Sequence, residues 1–322
     1  MKPVWWKDDY LYYIDQRRLP EELVIEKTRD YNIVAEAIKE LAIRGAPAIG
    51  IAAAYGIVLA RLQNKDIEEA AKVLKMTRPT AINLFWAIDR MMNLQDRSFQ
   101  SLLEEAIKIE REDEEINYDI AILGAQLIHK DSVVLTHCNA GGLATSGYGT
   151  ALGIIKKGWE EGRIKEVLVD ETRPLLQGAR LTAWELQEAG IPYKIITDNT
   201  AGFMMELGRI SSIVVGADRI AGNGDVANKI GTCSLAIIAR RFDIPFIVAA
   251  PTTSFDWSII KGDDIPIEER KEEEVLSFVG RKFTPSGARA INFAFDITPA
   301  ELITAIVCEA GVLKPPFIIR NC

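Results

Sequence analysis

Apolar residues recur at helical intervals through the first ~120 residues, after a short extended start. Ile33, Val34, Ala37, Ile38 and Leu41 mark one helix, with Gly45 as its stop. Ile49 to Leu62 is apolar nearly all round and rich in small residues (Ala52, Ala53, Ala54, Gly56), which predicts a core helix packed closely on its neighbours. Pro79 and Thr80 open a further helix carrying Leu84, Phe85, Trp86 and Ile88. A long helix then runs from Ser98 toward Ile128, and its charge run, Glu110 to Glu115, reads as a solvated face.

After Lys130 the pattern changes to short β-branched runs, each followed by a loop and a helical pattern. Ser132 to Thr136, Glu166 to Val169, Tyr193 to Thr197, Ile213 to Val215 and Pro245 to Ala249 read as buried strands of a parallel sheet. Alternation of strand and helix implies a doubly wound arrangement. The predicted fold class is α/β: a mainly helical N-terminal domain over 1–120, followed by a Rossmann-like, doubly wound parallel-sheet domain over 121–322. Gly262 to Glu274, acidic and interrupted by Pro266, reads as a loop.

Length agrees with two domains, since 322 residues stand against a prior of ~150 per domain, and 48% hydrophobic content supplies a core for each. Lys plus Arg number 38 against 46 Asp plus Glu, a net charge of -8, which argues against nucleic acid as the main partner. The N-terminus has no basic segment ahead of an apolar stretch, and no run of ~18 uncharged apolar residues occurs. These features predict a soluble cytoplasmic protein with no membrane partner. Cys138, Cys233, Cys308 and Cys322 are scattered without a Cys-x-x-Cys pair, and the only histidines are His129 and His137. A His-rich zinc or iron site is therefore not expected, and chemistry must come from carboxylates, Lys, Arg or a thiol.

Open parallel sheets bind ligands beyond the carboxyl ends of their strands, where loops converge and helix N-termini point inward. The residues there are Thr136 to Gly142, Asp170 to Pro174, Asp198-Asn199 and Gly216 to Arg219. A thiol and several carboxylates would line one edge. Asp198 reads equally as a cap of the next helix. Cys138 fits a buried structural role less well, because it lies in a glycine-rich loop. A His137–Cys138 dyad is not expected, since adjacent residues on an extended chain project to opposite faces. Gly147-Tyr148-Gly149 with Gly153 is out of register for a dinucleotide fingerprint, and suits a phosphate-sized anion at a helix start better. Arg44 to Gly50 joins two helices, either as a phosphate-holding junction or as a capping turn with a surface arginine. Asp218 to Lys229 reads as a polar loop that brings Asp218, Asn228 and Lys229 to the ligand edge.

Six segments together resemble the methylthioribose-1-phosphate isomerase family: Arg-Gly-Ala-Pro-Ala-Ile-Gly (44–50), Thr-Arg-Pro-Thr-Ala-Ile-Asn-Leu (77–84), Thr-His-Cys-Asn-Ala-Gly (136–141), Glu-Thr-Arg-Pro-Leu-Leu-Gln-Gly-Ala-Arg-Leu-Thr (171–182), and Gly-Ala-Asp-Arg-Ile (216–220) with Asn-Lys-Ile-Gly-Thr (228–232). The resemblance implies conversion of 5-methylthioribose 1-phosphate to 5-methylthioribulose 1-phosphate in methionine salvage, in a homodimer with no metal or organic cofactor. It places the catalytic pair on Cys138 and Asp218, and substrate contacts on Arg44, Gly45, Ala46, Arg78, Gln177, Asn228 and Lys229. Wider relatives of the family include non-catalytic regulatory subunits of an initiation-factor exchange complex, which generally lack that pair. They also include ribose-1,5-bisphosphate isomerases, which differ around Pro47-Ala48-Ile49-Gly50. A related activity on 5-deoxyribose 1-phosphate or ribose 1,5-bisphosphate is the chemical alternative.

The implied reaction needs an acid at the ring oxygen, because phosphate on the anomeric oxygen closes the free hemiacetal route. That role falls to Asp218, with its pKa raised by burial and its carboxyl facing the apolar side of the pocket. Cys138 would serve hydrogen movement from C2 to C1. Arg44, Arg78 and Lys229 would hold the phosphate. The methylthio end needs an apolar recess, for which Trp86 is a candidate lining residue unless it belongs to the core.

Overall fold

The computed structural model describes residues 1–79, 81–278 and 280–317. The extended start is a three-stranded antiparallel sheet of β1 (Val4–Lys7), β2 (Tyr10–Ile14) and β3 (Ile25–Thr28). Five helices follow: α1 (Tyr31–Lys39), α2 (Ala46–Leu62), α3 (Ile67–Lys75), α4 (Ile82–Met92) and α5 (Phe99–Ala125). Every residue from Ala48 to Ala60 is buried, as the all-round apolar pattern of α2 requires. Ser98 caps α5, its hydroxyl accepting from the Ser101 N–H.

Three local expectations change. Gly45 does not stop α1, which ends at Lys39 before Leu41 turns left-handed at φ 61°. Instead Gly45 is the N-cap of α2, with Pro47 inside the first turn where its missing N–H costs nothing. The helix expected from Pro79 begins at Ile82, and Thr80 lies outside the described residues. The charge run on α5 is not wholly solvated, because six consecutive positions span more than one turn and Glu110, Asp113 and Asn117 fall on the inner face. Glu110 is buried and accepts from the Tyr55 hydroxyl and the Lys2 ammonium. The Asp113 carboxylate accepts from the Ser146 N–H at 2.8 Å.

The remaining elements are β4 (Ser132–Thr136), α6 (Ala151–Glu160), β5 (Ile164–Asp170), α7 (Ala183–Glu188), β6 (Tyr193–Ile196), α8 (Thr200–Glu206), β7 (Ser212–Val215), β8 (Arg219–Ala221), β9 (Val226–Lys229), α9 (Thr232–Arg241), β10 (Phe246–Ala249), β11 (Phe255–Asp256), α10 (Glu273–Leu276), β12 (Ser277–Phe278), β13 (Arg281–Lys282), β14 (Phe295–Thr298), β15 (Ala305–Cys308) and β16 (Gly311–Leu313). The main sheet has the order β16-β15-β10-β7-β4-β5-β6, parallel throughout except for edge strand β16. Its strands are apolar on both faces: Leu135, Val215, Val248 and Ile306 pack on one side, and Val134, Val214, Ile247 and Val307 on the other. Helix cover on both faces follows from that burial.

From β4 the chain winds outward through β5 and β6, then returns to the other side of β4 to add β7, β10 and β15. The direction reverses between β4 and β7, so a crevice opens beyond their carboxyl ends. Cys138 lies two residues past β4, and Asp218 three residues past β7. The segment expected as a polar loop after Asp218 is the β8–β9 hairpin, part of a second sheet of order β11-β8-β9-β14. Gly262 to Glu274 is mostly irregular, with a 3-10 turn at Gly262–Asp264 and the start of α10. Helix α5 runs unbroken through residue 120, giving Leu102, Ala106 and Ile109 to the N-terminal core and Ile120 to the sheet core.

Candidate active site

The crevice is a partly open cavity lined by Cys138 and Asp218 together with Arg44, Gly45, Ala46, Arg78, Gln177, Asn228 and Lys229. Four separate parts of the fold deliver these side chains. The α1–α2 junction brings Arg44, the α3–α4 turn Arg78, the sheet edge Cys138, Gln177 and Asp218, and β9 the Asn228–Lys229 pair.

Arg44 reaches across from the helical region, donating to Asn139 Oδ1 at 2.7 Å and to the Asn139 carbonyl at 2.8 Å. Asn139 in turn donates to Glu185 at 2.9 Å, and Glu185 also accepts from the Gly142 N–H at 2.7 Å. Close approach of the two parts depends on Gly45, whose φ is 94° and whose Cβ would lie 2.4 Å from Ala144 Cα. Arg78 donates to Glu268 at 2.9 Å. The side-chain Oε1 of Gln177 is buried without a partner among the described residues, leaving an acceptor for a ligand hydroxyl. Lys229 lies 5.2 Å from the centre of the Phe295 ring, and no hydrogen bond joins its ammonium to a described residue.

Burial pushes the Asp218 carboxyl above its ordinary pKa, against the opposing pull of Lys229, then Arg78 and Arg44. Burial likewise lowers the Lys229 ammonium, while the nearby Cys138 thiol and Asp218 carboxyl work to raise it. Asp218 also borders a second hollow, lined by Ile49, Ala81, Ile265, Ile267 and Phe295 together with Arg78 and Arg219. The carboxyl thus stands between the main cavity and a recess with largely aliphatic walls. Trp86 is not part of that recess. It is 36% exposed, sits under the Arg90 guanidinium and lines a different hollow beside Pro47 and Ile51.

His137 donates from Nε2 to the Ile230 carbonyl at 2.9 Å, and its Nδ1 lies 2.9 Å from Asp170 Oδ2. Neither nitrogen is left for Cys138. Burial works to lower the imidazole, but the Asp170 carboxylate prevails and its pKa is raised. Burial pushes Asp170 itself to about 6. Asp198 accepts from the Thr172 and Arg173 N–H groups, each at 2.7 Å, and so braces the neighbouring loop rather than capping α8. His137, Asp170 and Asp198 group their ligand atoms within 4.8 Å, but both His137 nitrogens and both Asp198 oxygens are already used in holding loops together. Of the segment read as a helix-start anion position, Thr150, which precedes α6, lines the main cavity, whereas Gly147, Tyr148, Gly149 and Gly153 are not among its lining residues.

Residues 42–315 match the Initiation factor 2 subunit family. The chain belongs to that family. Within it, the chain is 52% identical to a methylthioribose-1-phosphate isomerase of Sulfurihydrogenibium sp., over 98% of this chain and 94% of the relative. The crystal structure of 5-methylthioribose 1-phosphate isomerase from Pyrococcus horikoshii superposes with a TM-score of 0.92 at 44% identity, covering 98% of this chain and 93% of that one. The crystal structure of translation initiation factor eIF-2B subunit delta from A. fulgidus gives 0.86 at 43% identity, covering 98% and 97%.

This member of the family also brings to the cavity residues that sequence reasoning did not single out. Arg270 and Phe295 line it, and Glu268 holds Arg78. Arg270 and Glu268 belong to a stretch whose acidic, proline-broken composition gave only a loop. No periodicity or motif signals that this loop returns over the site.

Proposed function

We propose that this chain is an aldose–ketose isomerase converting 5-methylthioribose 1-phosphate to 5-methylthioribulose 1-phosphate, a step of methionine salvage, with Cys138 and Asp218 as its catalytic pair. One observation carries the reading: a thiol and a carboxyl of raised pKa, from the two loops beside the reversal of strand order, line one cavity with four cations, Arg44, Arg78, Lys229 and Arg270.

Asp218 in its acid form gives a proton to the ring oxygen as the bond from C1 to that oxygen breaks. Hydrogen then moves from C2 to C1 while the C2 hydroxyl gives its proton to the Asp218 carboxylate, leaving the ketone at C2, the phosphate in place on C1 and Asp218 back in its acid form. Cys138 acts on this step, by carrying a proton or by assisting a hydride shift. Running the reaction in D2O separates the two, because only proton transfer introduces deuterium at C1. Arg44, Arg78 and Lys229 hold the phosphate and fix the pose of the sugar. Gly45, Ala46, Gln177 and Asn228 complete the substrate contacts, with the Gln177 acceptor taking a sugar hydroxyl.

The recess beside Asp218 suits a methylthio group. Of the two arginines beside it, Arg78 is shared with the main cavity and assigned to the first phosphate, and Arg219 is already engaged by Asp256, so a second phosphate there would lose water without a free cation to meet it. Ribose 1,5-bisphosphate is accordingly the poorer substrate, and 5-deoxyribose 1-phosphate the closer competitor. Comparative kcat/KM ranks them.

Incubation with methylthioribose 1-phosphate, followed by NMR for the ketose, tests the assignment, and absence of turnover at high enzyme concentration defeats it. A second reading, a non-catalytic regulatory subunit, draws on the 43% identity to the A. fulgidus initiation-factor subunit. Copurification of a stable heteromer without turnover would favour it. We further assign a homodimer in the cytoplasm, and take 1–120 and 121–322 as its two domains. Light scattering should return twice the 35.8 kDa of one chain.

A further inference from the structure

The segment from Glu171 to Thr182 supplies a single candidate substrate contact, Gln177. Two of its threonines are spent on the backbone of Cys138. That residue has φ 61°, a left-handed conformation costly for any side chain with a β-carbon. Its N–H donates to Thr172 Oγ1 at 2.9 Å, and its carbonyl accepts from Thr182 Oγ1 at 2.6 Å. Both threonines are fully buried. A hydroxyl has one proton and two lone pairs. Thr172 commits its proton to the Asp170 carbonyl at 3.0 Å, which leaves its oxygen free to accept from Cys138.

The clamp is itself braced. Thr172 is left-handed at φ 65°, and its N–H donates to Asp198 at 2.7 Å. Thr182 ends a π-helical turn, Gly178–Thr182, that presses on the end of β5. A Cβ at Gly178 would lie 1.7 Å from the Asp170 carbonyl oxygen and 2.9 Å from Thr172 Oγ1, so glycine is required there. Asn139 donates to Thr182 Oγ1 at 3.2 Å and accepts from Arg44, linking the clamp to a candidate phosphate contact.

We propose that Thr172 and Thr182 are positioning residues whose hydroxyls hold Cys138 in its left-handed conformation and so present its thiol to the cavity. The kinetic consequence rests on the isomerase reading, whereas the consequence for thiol reactivity does not. The test replaces each hydroxyl by a methyl of similar size, Thr172→Val and Thr182→Val, with Thr172→Ser and Thr182→Ser retaining the hydrogen bonds. The valine variants should lose about 10- to 100-fold in kcat while KM stays within about threefold, and the serine variants should keep kcat within about threefold. Peptide-resolved alkylation by iodoacetamide should show a changed pH–rate profile at Cys138 in the valine variants only, with Cys233 unaffected.

Folded valine variants with the parent's kcat and Cys138 alkylation profile would overturn the proposal. Serine variants as impaired as the valine ones would do the same. Where valine does not fold, Thr172→Ala or Thr182→Ala is compared with the matching serine variant. Should the parent protein show no turnover, the isomerase reading fails separately, and the alkylation profiles alone decide the clamp.

Discussion

In the proposed mechanism Asp218 must hold a proton that an ordinary carboxylic acid would have lost, and burial raises its pKa against the pull of three nearby cations. Asp218→Asn and Cys138→Ser should each cost about 10² to 10⁴ in kcat with the fold retained, as measured by turnover and a cooperative melt. Because the acid form is required, kcat/KM should fall as pH rises through the elevated Asp218 pKa. Lys229 exerts the largest opposing pull. Lys229→Met should therefore move that alkaline limb to higher pH while raising KM through weaker phosphate binding, and a limb that stays in place would contradict the assignment. At this scale the sequence was informative about type and place, since residues just past parallel strands lie at the edge where the crevice opens, as Cys138 and Asp218 do. It was silent on pairing. Arg78 is engaged by Glu268, 190 positions away, and nothing local to either residue reports that contact.

Helix α2 shows what an element adds to its residues. Its start at Gly45 is pressed against Ala144, so the helical region and the sheet edge meet where the site needs both. Gly45→Ala forces a side chain into a left-handed backbone at contact distance, and should cost ~2–4 kcal/mol in chemical denaturation as well as displacing Arg44. An all-round apolar run located α2, apolar spacing located the long helix α5, and the strands predicted for the main sheet appeared as short β-branched runs. The β8–β9 hairpin was missed, because its strands are only three and four residues long, too short to show alternation, and Gly222, Asn223 and Gly224 between them read as loop. Glu110 and Asp113 were misread because composition alone does not phase a charged run against a face that is buried elsewhere.

Across the whole molecule, Asp113 ties α5 of the helical region to the turn at Ser146 beside the sheet. Burial raises its carboxyl from 3.8 to about 6, so between those values the native state binds more protons than the unfolded chain and stability falls as pH rises. Asp113→Asn should reduce the loss in unfolding free energy between about pH 4 and about pH 7 by on the order of 1–3 kcal/mol, measured by denaturant titration at both pH values. An unchanged difference would show that the group does not titrate in that window. What the chain determined by itself was its elements and their class, because strands apolar on both faces demand helices on both sides, and an all-round apolar helix demands a core. Tertiary structure alone decided the reversal between β4 and β7, the return of Glu268 and Arg270 over the cavity, and the pinning of Cys138 by two threonines. Each of these depends on which distant surfaces meet, and contact between remote segments leaves no periodic trace in either one.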